Sequence, residues 1–196
     1  MTIRKASFPD DLDAVRRIFA GYAASLDVDL CFQGFADVLA GLPGGHARPR
    51  GGLWLALADD VVGCVALRPR AADRCEIKWL YLRPTMRGLG LGRRLAETAI
   101  AAAVDAGYER LCLDTLPTMT DATAFYRSLG FRAIDPYYGN PISGTLFLEL
   151  RLRPECGMAA GDVSREPRRS LRFRASRGPR SAPPPEPRSS RGSACR

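Results

Sequence analysis

The sequence predicts one layered α/β domain with a mixed central sheet, followed by a disordered tail. Its 196 residues suffice for one ordinary domain and are too few for two, since single domains cluster near roughly 100–150 residues. Apolar residues recur with strand-like and helix-like periods in turn across residues 1–153. A strand, a helix and a second strand lie between Arg74 and Thr115, and this order implies a parallel crossover within the sheet.

The tail at residues 154–196 has a composition that cannot form a core. Arg, Pro, Ser and Gly account for 28 of its 43 residues, and its few large apolar side chains cannot offset the entropy lost in ordering the backbone. With 10 basic and 4 acidic residues it also carries +6 of the formal net charge of +8. Residues 1–153 are therefore nearly neutral, and nucleic acid is not the expected partner of the folded domain.

The cysteines and the N-terminal segment indicate in which cellular compartment the protein is expected. The six cysteines form no CxxC pair, and three of them lie in strand-like apolar runs, so we interpret them as buried hydrophobes in a reducing environment; they are Cys31, Cys64, Cys75, Cys112, Cys156 and Cys195. The N-terminus lacks the apolar core of a signal peptide, and no uncharged apolar run approaches the roughly 20 residues of a membrane span. We expect a cytoplasmic protein without membrane contact.

The N-terminal half begins with a strand, two helices and three strands. Apolar residues at helical spacing follow Pro9, and acidic residues in that first turn suit the positive end of the helix dipole. Two apolar runs meet at Asp59-Asp60, which indicates a hairpin. In order, we predict a strand at 2–6, a helix from Pro9 through Tyr22, a weaker helix around 35–39, and strands at 53–58, 61–67 and 74–82.

The C-terminal half alternates between helices and strands. A stripe of Leu and Ala residues begins at Leu91 and ends at Gly107, a glycine suited to the end of a helix. A second helix stops at Gly130. In order, we predict a helix at 91–106, a strand around 111–113, a helix at 120–129, and strands at 131–134 and 145–152.

A glycine-rich turn joins the strand at 74–82 to the helix that begins at Leu91. Three alternating glycines leave the backbone amides open to an anion, and the free N–H groups of the helix's first turn point at the same place. Arg87, Arg93 and Arg94 add positive charge. The pattern indicates phosphate binding, yet it fits neither the GxGxxG dinucleotide fingerprint nor a P-loop, which requires a lysine.

The turn resembles the pyrophosphate loop of the GNAT superfamily of N-acetyltransferases at every position from Arg87 to Gly92. Pro84 two residues beyond the strand is typical of that family, as are the helix at 124–131 ending in Leu-Gly-Phe and the order of the elements. The resemblance covers residues 2–153. It implies a mainly antiparallel central sheet with helices on both faces, and an enzyme that uses acetyl-CoA as co-substrate without a metal.

The resemblance also implies the cofactor contacts and a general acid. Strand amides at 80–82 would bind the pantetheine arm, and the amides of the turn would bind the pyrophosphate. Tyr126 would protonate the departing thiolate, although a tyrosine that only packs on the core remains the alternative. The implied cofactor residues are Leu80, Tyr81, Leu82, Arg87, Gly88, Leu89, Gly90, Leu91, Gly92 and Arg93.

A base is needed because a protonated amine is not a nucleophile. Glu76 matches a strand glutamate that some family members keep, and it would act directly or through a water. Its alternative is an exposed glutamate that pairs with Lys78 or with an arginine across the sheet. The only histidine, His46, lies in the glycine-rich segment 41–52, and we expect it to be solvated there.

In this family the first helices and the last hairpin select the acceptor, which here means residues 22–41 and the segment from Tyr137 to Pro141. Tyr137, Tyr138 and Asn140 would shape a polar, partly aromatic pocket. Asp114 would orient a cationic amine or, alternatively, cap the following loop. The asparagine that often follows this strand in the family is absent, since residues 115–118 read Thr-Leu-Pro-Thr.

The predicted reaction is acetyl transfer from acetyl-CoA to a primary amine of a small molecule or peptide, by direct attack in a ternary complex. No activated nucleophile is evident, so a covalent acyl-enzyme is not expected. One alternative is a non-catalytic acyl-CoA-binding sensor or interaction domain. Another is a nucleic-acid-associated protein that acts through its basic tail. The identity of the amine is undetermined, and a homodimer is left open.

Overall fold

The computed structural model describes residues 1–26 and 34–152, which form a mixed sheet with helices on both faces. Part of the predicted acceptor segment 22–41 and the whole of the predicted tail lie outside these residues. The elements are β1 Thr2–Lys5, α1 Leu12–Ala24, α2 Phe35–Ala40, β2 Gly52–Leu57, β3 Val61–Pro69, β4 Arg74–Leu82, α3 Leu91–Asp105, β5 Arg110–Thr115, α4 Thr120–Ser128, β6 Arg132–Ile134 and β7 Leu146–Arg151, with short 3-10 turns at Gly44–His46 and Pro84–Met86.

Seven strands form one sheet in the order β1-β2-β3-β4-β5-β7-β6. Every neighbouring pair is antiparallel except β4 and β5, which are parallel as the strand–helix–strand order predicts. The parallel pairing extends only from Arg74 to Glu76 on β4 and from Arg110 to Cys112 on β5. Beyond Glu76 the two strands are no longer paired, so a gap opens in the middle of the sheet.

Two apolar clusters hold the helices on opposite faces of the sheet. On one face, Leu95 and Ala99 of α3 and Tyr126 of α4 pack against buried strand residues such as Leu111. On the other face, Val15 and Phe19 of α1 form a second cluster with further strand residues. The predicted fold class is confirmed, and each face of the gap between β4 and β5 is covered by different helices.

A bulge interrupts β4 where it leaves β5. Lys78 is opposite Ala66 of β3, whereas Tyr81 is opposite Cys64, so two residues of β4 oppose one residue of β3. Trp79, inside this bulge, has φ 57° and is the one non-glycine with positive φ among the described residues. Contacts of its ring with Phe19, at 5.2 Å between ring centres, and with α2 stabilise this unfavourable backbone conformation.

No helix among the described residues has the length and apolar character needed to cross a membrane.

Candidate active site

A cavity of about 110 Å³ occupies the gap between β4 and β5. Its walls come from β4, from the end of β5, and from α1 and α4, which lie on opposite faces of the sheet. Lys78 and Asp114 contribute charged groups, and Thr115 contributes a buried hydroxyl that has no hydrogen-bond partner in the described part of the chain. Two reactants that approach from opposite faces of the sheet can therefore meet in this cavity.

A larger cleft of about 540 Å³ adjoins the cavity and leads toward the glycine-rich turn. It is lined by β4 from Leu80 to Leu82, by Arg87 and Gly88 of the turn, and by the start of α4. The cleft and the cavity share Leu80, Phe125 and three other lining residues. An elongated ligand can therefore extend from the turn along β4 and reach the gap.

The turn has the geometry of an anion site. Gly88 and Gly90 have φ 79° and 75°, which favour glycine, and a Cβ at either position would meet no atom within 4 Å. Gly90 precedes α3 without a side-chain cap, so the first amides of the helix are free to bind an anion. Arg93 donates to Ser128 Oγ at the end of α4 and pairs with Glu97 one turn further along α3. The open glycines and the free amides fit an anionic group such as a pyrophosphate.

Tyr126 lines the cavity from α4. The residue is 8% exposed, and its ring contacts Phe125 and Phe131 with centres 5.3 Å and 5.6 Å apart. Its hydroxyl makes no hydrogen bond within the described residues, so packing alone does not account for a tyrosine here. Burial, together with Tyr22 and Asp114 nearby, raises the pKa of the Tyr126 phenol above its ordinary value. The phenol is therefore protonated at neutral pH and able to donate a proton.

Asp114 is the carboxylate that faces the cavity. Its side chain is 7% exposed, and Lys78 Nζ donates to Oδ1 at 2.7 Å. The hydroxyl of Tyr138 donates to Oδ2 at 2.9 Å, and Asn140 Nδ2 donates to that hydroxyl at 3.0 Å. These donors hold the carboxylate in one orientation at the end of β5.

Glu76 is held away from the cavity and is not one of its lining residues. The side chain is fully buried, so the alternative of an exposed glutamate is wrong in its exposure, whereas its pairing with an arginine across the sheet is observed. Arg68 Nε donates to Oε2 at 2.6 Å, and the Tyr137 hydroxyl donates to Oε1 at 2.7 Å. Both oxygens of Glu76 have partners, as do both oxygens of Asp114, so what distinguishes the two carboxylates is that only Asp114 lines the cavity. The general-base role of Glu76 remains a prediction.

His46 is buried, so the expectation that it is solvated was wrong. It is 6% exposed, and its Nδ1 lies 3.3 Å from the carbonyl oxygen of Leu67. Burial lowers its pKa to about 4, so the imidazole is neutral at pH 7. The segment 41–52 forms a 3-10 turn that packs against β3. Gly51 and Gly52 at its end are buried, whereas Gly44 and Gly45 are exposed.

The two adjacent tyrosines of the segment between β6 and β7 fasten that segment over the sheet. Tyr137 and Tyr138 donate to Glu76 and Asp114, and both rings contact Phe147 of β7. Arg70 lies over both rings, with its guanidinium carbon 5.3 Å and 5.5 Å from their centres. Sequence reasoning offered an arginine across the sheet as a partner of Glu76 without naming Arg68, which the strand register places opposite it, and it missed Arg70.

Within the described residues, no group of three or more His, Cys, Asp or Glu side chains is arranged to hold a metal ion. Cys64, Cys75 and Cys112 are buried and free, as their strand-like surroundings predict.

Comparison with known proteins identifies the family. The model of the acetyltransferase (GNAT) family matches residues 18–131. An uncharacterized N-acetyltransferase of Schizosaccharomyces pombe is 36% identical over 78% of this chain and 95% of its own length. An acetyltransferase of Streptococcus agalactiae superposes with a TM-score of 0.65 at 24% identity, covering 76% of this chain and 97% of its own. An acetyltransferase of Salmonella typhimurium, solved with acetyl-CoA, superposes with a TM-score of 0.59 at 21% identity, covering 82% and 99%.

The fold and these matches define an acetyltransferase. The chain belongs to the GNAT acetyltransferase family, and the predicted enzyme class, an acetyl-CoA-dependent N-acetyltransferase, is confirmed.

Proposed function

We propose that this enzyme transfers the acetyl group of acetyl-CoA to a primary amine of a small molecule or peptide, by direct attack in a ternary complex. The cavity between β4 and β5 carries the proposal. Tyr126 reaches it from the α4 side, and the Lys78–Asp114 pair lines it near α1. An acyl donor and an amine can thus approach from opposite faces without a covalent enzyme intermediate.

Acetyl-CoA is proposed to bind along the cleft. The amides from Gly88 to Arg93 would bind the pyrophosphate, where the open glycines permit close approach. Backbone groups of Leu80 to Leu82 would bind the pantetheine arm, since β4 is not paired with β5 beyond Glu76. The acetyl-CoA found with two structural relatives, from Salmonella typhimurium and Elizabethkingia anophelis, supports this choice of donor.

Tyr126 is proposed as the general acid. A phenol is protonated at neutral pH, and burial raises the pKa of Tyr126 further above that range. When the tetrahedral intermediate collapses, the C–S bond breaks and this proton passes to the leaving sulfur. The thiol leaves more readily than the thiolate, which accelerates the step.

Asp114 is proposed to bind the amine. A carboxylate in the cavity wall attracts the ammonium form and accepts the proton that must leave before attack, directly or through a water. Glu76 was the base predicted from the sequence, but it does not line the cavity. Comparing the variants Asp114→Asn and Glu76→Gln therefore shows which of the two carboxylates accepts the proton of the amine.

The test is thiol release from acetyl-CoA with a panel of amines. Tyr126→Phe should lower kcat roughly 10²–10⁴-fold with little change in the KM for acetyl-CoA. Tyr108→Phe is the matched control, because Tyr108 is also buried on this face while its hydroxyl bonds to Arg50, away from the cavity. Its kcat should be unchanged.

Base and acid variants should differ in pH dependence. The defect of Asp114→Asn should shrink at high pH, where the amine deprotonates in water, whereas the Tyr126→Phe defect should not. If Glu76→Gln lost more activity than Asp114→Asn, and if this loss shrank at high pH, Glu76 rather than Asp114 would be the general base. Wild-type kcat in Tyr126→Phe would exclude the general acid, and acetyl-CoA binding without thiol release for any amine would favour the sensor alternative.

A further inference from the structure

The acceptor side of the sheet has a row of neutralised carboxylates. Glu76 is opposite Cys112 on β5, and Cys112 is opposite Glu149 on β7, so these side chains share one face. Each carboxylate of this region has a cation: Glu76 has Arg68 at 2.6 Å, Asp114 has Lys78 at 2.7 Å, and Glu149 has Arg74 at 3.3 Å. The three carboxylates and their three cations therefore leave no net negative charge that would favour an acceptor with several ammonium groups.

Positive charge, in contrast, is in excess. Arg68 uses Nε for Glu76, and its side chain is 28% exposed. Arg70 lies two residues further along the chain, beyond the end of β3, and has no carboxylate partner among the described residues. Its guanidinium rests on the rings of Tyr137 and Tyr138. A guanidinium held over aromatic rings keeps its in-plane N–H donors available.

The two tyrosines connect Arg70 to the amine subsite. Tyr138 donates to Asp114, and Tyr137 donates to Glu76, so Arg70 is held at the rim of the surface that contains the cavity carboxylate. A planar, permanently charged guanidinium binds carboxylate and phosphate groups with two parallel hydrogen bonds.

We propose, building on the transferase function above, that the acceptor is an amine that also carries an anionic group, and that Arg70 binds this group while Asp114 binds the amine. The substrate class is thus amino-acid-like, a single amine with a carboxylate, rather than a polyamine or an aminoglycoside. Arg70 at the rim repels polycations, and the paired carboxylates offer them little compensation.

A homologous amine series tests this class. Ethanolamine supplies a neutral amine, and spermidine supplies a polycation. Glycine, β-alanine and γ-aminobutyrate place a carboxylate at increasing distance from the amine, and aminoethyl phosphate exchanges the carboxylate for a phosphate. The best carboxylate-bearing amine should exceed ethanolamine in kcat/KM at least tenfold, and the chain length at the optimum measures the reach from the cavity to Arg70.

Arg70→Gln identifies the residue responsible. Losing hydrogen bonds to a charged group should lower kcat/KM for the carboxylate-bearing amine roughly 10- to 100-fold, mainly through KM, while ethanolamine is unaffected. Arg70→Lys should retain part of the preference, because it keeps the charge without the planar fork. Arg17→Gln, an exposed arginine on α1, is the control and should match the wild type with every amine.

The outcomes separate this inference from the proposed function. A preference for spermidine or ethanolamine over every carboxylate-bearing amine would overturn the inference and leave the transferase intact. A preference for aminoethyl phosphate over every carboxylate-bearing amine would overturn the choice of a carboxylate and would make a phosphate the anionic group that Arg70 binds. Equal loss with all amines in Arg70→Gln would reduce Arg70 to a structural role. No thiol release with any amine would remove the proposed function and the inference with it.

Discussion

Two glycine-rich segments of this chain look alike in sequence and have opposite structural roles. In the turn at 87–92, a Cβ at Gly88 or Gly90 would meet nothing within 4 Å. In the segment 41–52, a Cβ at Gly51 would lie 2.6 Å from the carbonyl oxygen of Gly45 and 2.7 Å from that of Ala47. Gly88 and Gly90 leave space for a ligand, whereas Gly51 allows backbone to pack on backbone, although Gly44 of the same segment has open space as well. Glycine content alone therefore indicates neither binding nor mobility.

The largest effect is expected at the open turn. Gly90→Asp would introduce a carboxylate where the phosphates are proposed to bind, and φ 75° is costly for any side chain. Affinity for CoA should fall more than 100-fold, measured by calorimetry, while the protein stays folded. Gly107→Asp is the matched control, because Gly107 has φ 80° and open space at the far end of the same helix. It carries the same strain without the anion site, so its CoA affinity should equal that of the wild type.

A weak effect of Gly90→Asp on CoA affinity would contradict the ligand-binding role of the turn at 87–92. If both aspartate variants bound CoA like the wild type, the open space at the turn would not be a phosphate site.

The packed segment should respond in stability rather than in binding. Gly51→Ala places its methyl group against three backbone atoms within 2.8 Å, and such overpacking costs roughly 1–3 kcal/mol of unfolding free energy. Gly45→Ala in the same segment is the control, since its nearest neighbour is 3.9 Å away. Urea denaturation should separate the two variants, and CoA affinity should be unchanged in both. Equal stability of the two variants would show that the backbone around Gly51 rearranges easily to accept a methyl group, and that the segment is not tightly packed.

Most of the fold could be predicted because hydrophobic periodicity is local. The strand Arg74–Leu82 was predicted with both of its ends, and α3 and α4 within one residue. The bulge could not be predicted, because a tryptophan with φ 57° is stabilised by rings from α1 and α2 that are distant in sequence. Tertiary contacts overrode the local preference.

The site residues divide in the same way, into those that belong to local motifs and those that are positioned by tertiary contacts. The glycine-rich turn and Tyr126 belong to contiguous motifs, so their position in the cleft and the cavity could be expected. The partners of Glu76 depend on strand register and on the path of the β6–β7 segment, which brings Tyr137 onto it from 61 positions away. Arg70 belongs to no sequence motif, so its position over the rings of Tyr137 and Tyr138 is visible only in the structure.

A further effect, visible only as a difference between two pH values, concerns the burial of His46 in the packed segment. The pKa of His46 in the folded protein is about 4, because burial dominates, compared with about 6.5 in the unfolded chain. The charges that face it partly cancel, since Arg68 and Lys78 lower the pKa further and Glu76 raises it.

The pKa in the folded state is the lower one, so the unfolded chain binds the extra proton between these two values. The contribution of a neutral His46 is therefore complete above about pH 6.5 and is lost as pH falls toward 4. Between pH 7.5 and pH 5 the wild type should lose about 2 kcal/mol more unfolding free energy than His46→Gln, which does not titrate. Urea denaturation at both pH values supplies the difference. A parallel pH dependence of the two proteins would show that His46 is hydrated, as expected for an open glycine-rich loop, and the contrast between the two glycine-rich segments would then disappear.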